Sequence, residues 1–165
     1  MTQTFIISSN FSETARCLDN RRLNKNITES FQVFRWCIGE GVMQGNPHPY
    51  NMWKGHEESL LEYIVEMHLE WKRRFDAGLR GGKRTHKNGL EADELLGRID
   101  VSLYPKPYWI SDERVLSSQR AALLYKDFEW YSQFGWKERP AIPIKTNKNG
   151  LVSLPYFWPD LERMA

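Results

Sequence analysis

Cysteine is almost missing from this chain: Cys17 and Cys37 are the only two in 165 residues. Two unpatterned thiols make neither a disulfide framework nor a paired-cysteine zinc site, and they suit a reducing compartment as small core side chains. Long apolar runs are missing as well. No stretch nears the roughly 18 residues that span a bilayer, and the opening MTQTFIISSN lacks the basic n-region and long apolar h-region of a secretory signal. The expectation is a cytoplasmic protein with no membrane partner. Internal repeats and low-complexity tracts are absent. Among the four histidines, His48, His56, His68 and His86, no H-E-x-x-H spacing occurs. Gly55-His56-Glu57-Glu58 alone does not define a metal site, so the reading is no metal and no cofactor, with a metal nuclease as the weaker rival.

What is present is a globular composition, 41% hydrophobic and 27% charged, in a length that forms one domain with a real core. Net charge is only +2, but the charge lies in blocks. Glu57, Glu58, Glu62, Glu66 and Glu70 have no base among them; Lys72, Arg73, Arg74, Arg80, Lys83, Arg84 and Lys87 follow against Asp76 alone. A polyanion would meet the second block and avoid the first. A solvated helix end followed by a polar loop accounts for the same pattern.

Asn10-Phe11-Ser12-Glu13 forms a capping box and opens a helix reaching about Arg22. Ile27, Phe31, Phe34 and Ile38 make one apolar stripe, placing a second helix from Asn26 to the glycines at 39 and 41. GNPHPYNMW reads as a turn-rich loop. A long helix runs from about Trp53 to Phe75, with Leu60, Ile64, Met67, Trp71 and Phe75 buried and Glu58, Glu62, Glu66 and Glu70 wet. Residues 76–92 read as a loop, and the prolines of YPKPYW break the chain again. Ser111-Asp112-Glu113 opens a helix to about Asp127; beyond Trp130 the chain is aromatic and proline-rich without a period. No alternating strand run is visible. The fold class is mostly α, a single compact domain of about four helices over residues 1–165, with long loops and an aromatic C-terminal tail.

Two residues carry candidate chemistry. Removal of an initiator methionine before a small residue would expose the α-amine of Thr2. Its reference pKa is about 7.7–8.0 against about 10.4 for lysine, so about a tenth is unprotonated at neutral pH. Such an amine attacks a carbonyl carbon to form a Schiff base; the alternative is an ordinary N-terminus. Glu29 is either a proton relay or the far half of a second capping box, Asn26-x-x-Glu29. Arg21, Arg22 and Lys25, near that helix start, are candidate phosphate contacts or ordinary surface bases. Arg120 and Lys126 on the late helix are further candidates. Trp130, Tyr131, Phe134 and Trp136 either fill the core or stack against an opened duplex. His48, between two prolines, makes a backbone contact to nucleic acid or a structural hydrogen bond.

The stretch NITESFQVF, residues 26–34, resembles the endonuclease V type of pyrimidine-dimer DNA glycosylase and abasic-site lyase. That family's E-L-P-R-V-F run overlays Glu29 to Phe34 with Glu, Val and Phe matching, and the same register brings Leu18 and Leu23 onto family leucines. The family also begins Met-Thr. Pro47-His48-Pro49 through Trp53 resembles its G-H-x-x-x-F-Y stretch, and Ser118-Gln119-Arg120, Lys126, Trp130-Tyr131 and Gly135 resemble its ending. A bacterial and phage subgroup looks closer, through a Leu-Asp-x-x-Arg-Leu-x-Lys pattern at Leu18 to Lys25 and a Tyr-x-Trp-Pro at Tyr156 to Pro159. The resemblance covers residues 1–75 and 115–136.

It implies a DNA repair enzyme in which the Thr2 amine attacks C1′ and Glu29 moves protons, without cofactor or metal. Its partner would be double-stranded DNA containing a lesion or abasic site, its target pyrimidine dimers, and its state a monomer in the cytoplasm, near the nucleoid or in an infected host cell. Two family arginines that grip the damaged strand fall here on Thr28 and Gln32, and a family histidine on Arg22. Gln32 therefore takes a strand-contacting position with different chemistry, and the reaction is better defined than the lesion. Residues 76–100 read as a loop insertion and 137–165 as a C-terminal extension. A non-catalytic nucleic-acid-binding module on the same fold, or a glycosylase for another modified base, are the alternatives.

Overall fold

Two caps set where the first helices begin. Asn10 Oδ1 accepts the Glu13 N–H at 3.0 Å and opens α1 (Phe11–Cys17). Asp19 accepts the Arg22 N–H at 3.4 Å and opens α2 (Asn20–Cys37). The expected boundaries near Arg22 and Asn26 are thus both corrected. Asp19 supplies an earlier cap, and Leu23 extends the stripe of Ile27, Phe31 and Phe34 backward by a turn. Asn26 is a buried residue in the second turn of α2 and not a cap.

This computed structural model describes residues 2–146 and 152–159. The remaining helices are α3 (His48–Trp53), α4 (Glu57–Asp76), α5 (Lys87–Leu96), α6 (Glu113–Lys126) and α7 (Phe128–Tyr131). One two-residue antiparallel pair, β1 (Lys145–Thr146) with β2 (Val152–Ser153), completes the described elements. The mostly α class stands, but with seven α-helices among the described residues where about four were expected. The additional ones, α3, α5 and α7, have 6, 10 and 4 residues, too short to display a full apolar stripe. No described helix is long and apolar enough to cross a membrane.

The chain forms two compact units: Met1–Phe5 with Asn10–Pro107, and Ile6–Ser9 with Tyr108–Ala165. In the first, α4 packs against α1, α2 and α5. Leu60, Ile64 and Met67 are buried as expected, while Trp71 and Phe75 are half-buried. The Arg80 guanidinium lies 3.5 Å from the Trp71 ring centre and 5.3 Å from that of Phe75.

Glu70, expected on the wet side, is 5% exposed. Burial pushes its carboxyl up, but Arg73 at 2.7 Å and Arg74 at 3.4 Å outweigh burial and hold it below the usual carboxylate range. Arg74 in turn donates to Asn20 Oδ1 at 3.0 Å and to the carbonyls of Ala15 and Arg16 at 3.0 and 3.2 Å. Those carbonyls end α1 and have no helical partner, so a buried cation there satisfies both charge and hydrogen bonding. Cys17 is buried and Cys37 half-buried, both as free thiols.

The expected loop at 76–92 ends early, because α5 begins at Lys87. His86 caps it, with Nδ1 accepting the Asn88 N–H at 3.1 Å. Gly89, which reads as a loop residue in the sequence, is there for space: a Cβ would overlap the imidazole of His68. His68 is fully buried, with Nδ1 2.9 Å from Asp93 Oδ2 and Nε2 accepting the His86 N–H at 3.0 Å.

In the second unit α6 begins as expected, at a cap where Asp112 accepts the Arg114 N–H at 3.0 Å. The buried Tyr131, the last residue of α7, stacks on Trp136, ring centres 5.8 Å apart. The expected C-terminal extension lies partly outside the described residues.

Candidate active site

Residues 2–5 are buried and bonded through the alternate N–H groups of Gln3 and Phe5 to side chains of α2. In an extended chain alternate N–H groups point the same way, and on a helix residues three apart share a face. Asn26 and Glu29 use that match. Asn26 Oδ1 accepts the Phe5 N–H at 3.2 Å, and Glu29 Oε2 accepts the Gln3 N–H at 2.8 Å. Asn26 Nδ2 also donates to the Tyr63 hydroxyl at 2.6 Å, and that hydroxyl donates to the Phe5 carbonyl. Trp53 Nε1 donates to Thr4 Oγ1 at 2.9 Å.

Thr2 is held from its other side. Its hydroxyl donates to the Gln44 carbonyl at 3.0 Å and lies 3.3 Å from the Tyr50 hydroxyl, which accepts the Gln44 N–H at 3.1 Å. The three groups form a closed circuit that fixes the threonine side chain. Glu29 meanwhile sits at the peptide joining Thr2 to Gln3, one residue from the Thr2 nitrogen. Met1 lies outside the described residues, and with it the expectation that it is removed.

The Glu29 side chain is 13% exposed. Burial raises its carboxyl above the ordinary value, opposed by the Gln3 N–H and by the ammonium of Lys25 at 3.7 Å, and the net direction is upward. A carboxyl poised upward in this way exchanges protons more readily near neutral pH. Its reading as half of a capping box is overturned, since the helix starts at Asn20 and Glu29 lies in its third turn.

The other expected residues divide between the units. Arg22, Lys25, Glu29 and Gln32 follow helical spacing along one stripe of α2. Arg22 is paired with Asp19 at 3.2 Å, Lys25 is 63% exposed at its side chain, Gln32 is half-buried and Arg21 is exposed. Thr28 is engaged by His86, its Oγ1 3.0 Å from Nε2. His48 opens α3 instead of lying in a loop, and its N–H donates to Asn46 Oδ1 at 3.1 Å.

Arg120, Lys126, Trp130 and Tyr131 belong to the second unit. Arg120 is turned inward, bonded to Glu138 at 3.0 and 2.9 Å, to Glu113, and to the Ile7 carbonyl at 2.9 Å. Tyr131 is fully buried, while Lys126 and Trp130 are exposed. Among the described residues no group of three or more His, Cys, Asp or Glu side chains is placed to hold a metal ion. Sequence reasoning missed Gln44, Tyr50 and Tyr63, which anchor the N-terminal segment. The available signal was Asn26 and Ser30, two polar residues inside the apolar stripe of α2.

Residues 2–78 match a family model described as pyrimidine dimer DNA glycosylase. Over that stretch the chain is similar to this glycosylase family. The match contains every residue of the Thr2–Glu29 cluster and ends just after α4. The glycosylase match does not extend to residues 115–136, where a second resemblance was read. No curated protein and no solved structure matches the chain.

Proposed function

We propose that this protein is a DNA repair glycosylase that removes a base, with pyrimidine dimers as its target, and then cleaves the abasic strand as a lyase. Its nucleophile is the α-amine of Thr2 and its acid–base group is Glu29. The observation that carries the reading is the Glu29 carboxylate bonded to the N–H of Gln3, while Gln44 and Tyr50 hold the Thr2 hydroxyl.

Exposing C1′ of a stacked nucleotide costs a few kcal/mol. The amine lone pair then forms a bond to C1′, and the electrons of the base–sugar bond leave with the base, which takes up a proton. Opening of the sugar ring leaves an imine between Thr2 and C1′. The imine acidifies the C2′ proton; its removal sends electrons toward C3′ and expels the 3′ phosphate. Glu29 stabilises the cationic sugar and relays these protons, and neither metal nor cofactor is needed. The substrate is double-stranded DNA bound by a monomer. Arg21, Arg22, Lys25, Gln32 and His48 in the first unit, and Lys126 and Trp130 in the second, are the assigned DNA contacts. Arg120 and Tyr131 are assigned internal roles.

A non-catalytic DNA-binding module is the second reading, favoured by the burial of Thr2, which is 5% exposed. Borohydride trapping on abasic-site DNA, read by mass spectrometry of the N-terminal peptide, separates the two. An adduct on Thr2, lost when the amine is acetylated, is the expected result. DNA binding without any adduct, in protein whose Met1 has been removed, would leave the binding module.

A further inference from the structure

From residue 79 the segment between α4 and α5 lies outside the family match, yet it is fixed to the helix that carries Glu29. Asn20 Nδ2 donates to the Leu79 carbonyl at 3.2 Å, and His86 Nε2 is 3.0 Å from Thr28 Oγ1. Because His86 Nδ1 accepts the Asn88 N–H, the neutral ring carries its proton on Nε2 and donates it to Thr28. Asn20 and Thr28 are about 12 Å apart along the helix, so the segment is pinned along the first three turns of α2, its second pin one residue before Glu29.

Between the pins the backbone is braced from within. Arg80 donates to the carbonyls of Trp71 at 2.8 Å, Gly81 at 3.0 Å, Lys83 at 2.7 Å and Arg84 at 2.7 Å. Arg84 is paired with Asp76 at 2.8 Å. Lys83 and Lys87, by contrast, are exposed and in no ion pair among the described residues, as is Arg21 on α2. The backbone N–H groups of residues 80–85 donate to no acceptor among the described residues. Carbonyls are therefore consumed inside the segment while ammonium groups and amide N–H groups are left to the outside. A surface of donors and cations in which the carbonyls of Leu79, Gly81, Lys83 and Arg84 are already engaged suits phosphodiester oxygens.

We infer that residues 79–87 form a ridge that binds the phosphate backbone of the DNA acted on at Thr2 and Glu29, with Lys83 and Lys87 as its phosphate contacts; this rests on the glycosylase reading above. The ridge is rigid, because Arg80 holds its backbone, and it carries no sequence information.

The test is fluorescence anisotropy of a duplex containing a tetrahydrofuran abasic-site analogue, titrated at several KCl concentrations. The double variant Lys83→Ala/Lys87→Ala loses about tenfold in affinity near 0.1 M salt and reduces the salt slope by about 2. Lys83→Arg/Lys87→Arg keeps both, as does Arg98→Ala, which removes a cation past the other end of α5 that is paired with Glu94 at 2.6 Å. Borohydride trapping by the double variant at saturating abasic DNA matches the wild type, and so does its melting temperature. Unchanged affinity and slope in the double variant, with the wild type binding and trapping normally, overturn the ridge and leave the glycosylase reading intact. A wild type that binds no such duplex overturns both.

Discussion

Glu29 is pulled between folding and chemistry. Its carboxyl is raised in the folded state, chiefly by burial. A raised group contributes most below its unfolded value, about 4.3 for glutamate, and that contribution is lost as pH rises through the folded value. At pH 7 an ionised Glu29 therefore costs stability. Glu29→Gln keeps an acceptor for the Gln3 N–H and removes the buried charge. The expected outcome is loss of abasic-strand cleavage with a melting temperature at pH 7 equal to or above wild type; retained cleavage would remove Glu29 from the chemistry. Asn26 makes the complementary case. Asn26→Leu strips partners from the Phe5 N–H and the Tyr63 hydroxyl, costing about 1–3 kcal/mol for each group left unsatisfied. Cleavage should fall too, since the segment bearing Thr2 loses an anchor; urea melts and a single-turnover cleavage assay would check both. Asn26-x-x-Glu29 was legible as a pair of side chains that bind backbone N–H groups. The backbone they bind is that of Gln3 and Phe5, more than twenty positions away, and no local pattern encodes that.

At the scale of elements, α4 could be read from its apolar stripe and α6 from its Asp112 cap, both local signals, whereas α5 could not. Helix α4 has no side-chain cap, and its start falls at Glu57 and not near Trp53, which ends α3. Gly89 marks a break in any propensity reading, yet it lies inside α5 because His68 fills the space beside it. Gly89→Ala should therefore destabilise by about 1–3 kcal/mol through overpacking, against the roughly 1 kcal/mol that alanine gains in helix propensity. A stabilised variant in chemical denaturation would contradict the contact. The same junction gives a pH dependence. His68 is lowered by burial first, with Lys72 and Arg84 acting in the same direction and Asp93 opposing. His86 is also lowered, by burial and then by His68. The unfolded chain thus binds protons that the fold resists, so stability is full above the unfolded histidine value near 6.5 and is lost as pH falls through the folded values. Protonated His68 would turn an N–H toward the His86 N–H that it now accepts. Amide protection at His86 should drop between pH 7 and pH 5, and the drop should shrink in His68→Gln.

At the scale of the molecule, the order of the motifs was enough to point to the family that residues 2–78 match, because Thr2, Glu29 and the start of α3 lie within that one stretch. The division into two units was not legible, since Ile6–Ser9 joins residues more than a hundred positions later. Arg120 shows the cause. An arginine in a basic, aromatic region reads as a phosphate contact, but its Nη1 donates to the Ile7 carbonyl at 2.9 Å and its guanidinium faces Glu113 and Glu138. Only the folded chain brings those acceptors together. Arg120 and Glu138 have side chains 12% and 10% exposed, so removing the cation strands a nearly buried carboxylate. Arg120→Met should cost about 3–5 kcal/mol of stability, the usual penalty for breaking a buried pair from one side. A phosphate contact predicts something else: weaker DNA binding with a salt slope lower by about 1 and little change in stability. Denaturant melts and the KCl dependence of binding, measured on the same variant, separate the two. Lost stability with an unchanged slope places Arg120 in the architecture of the second unit, and a lowered slope at full stability would return it to the DNA interface.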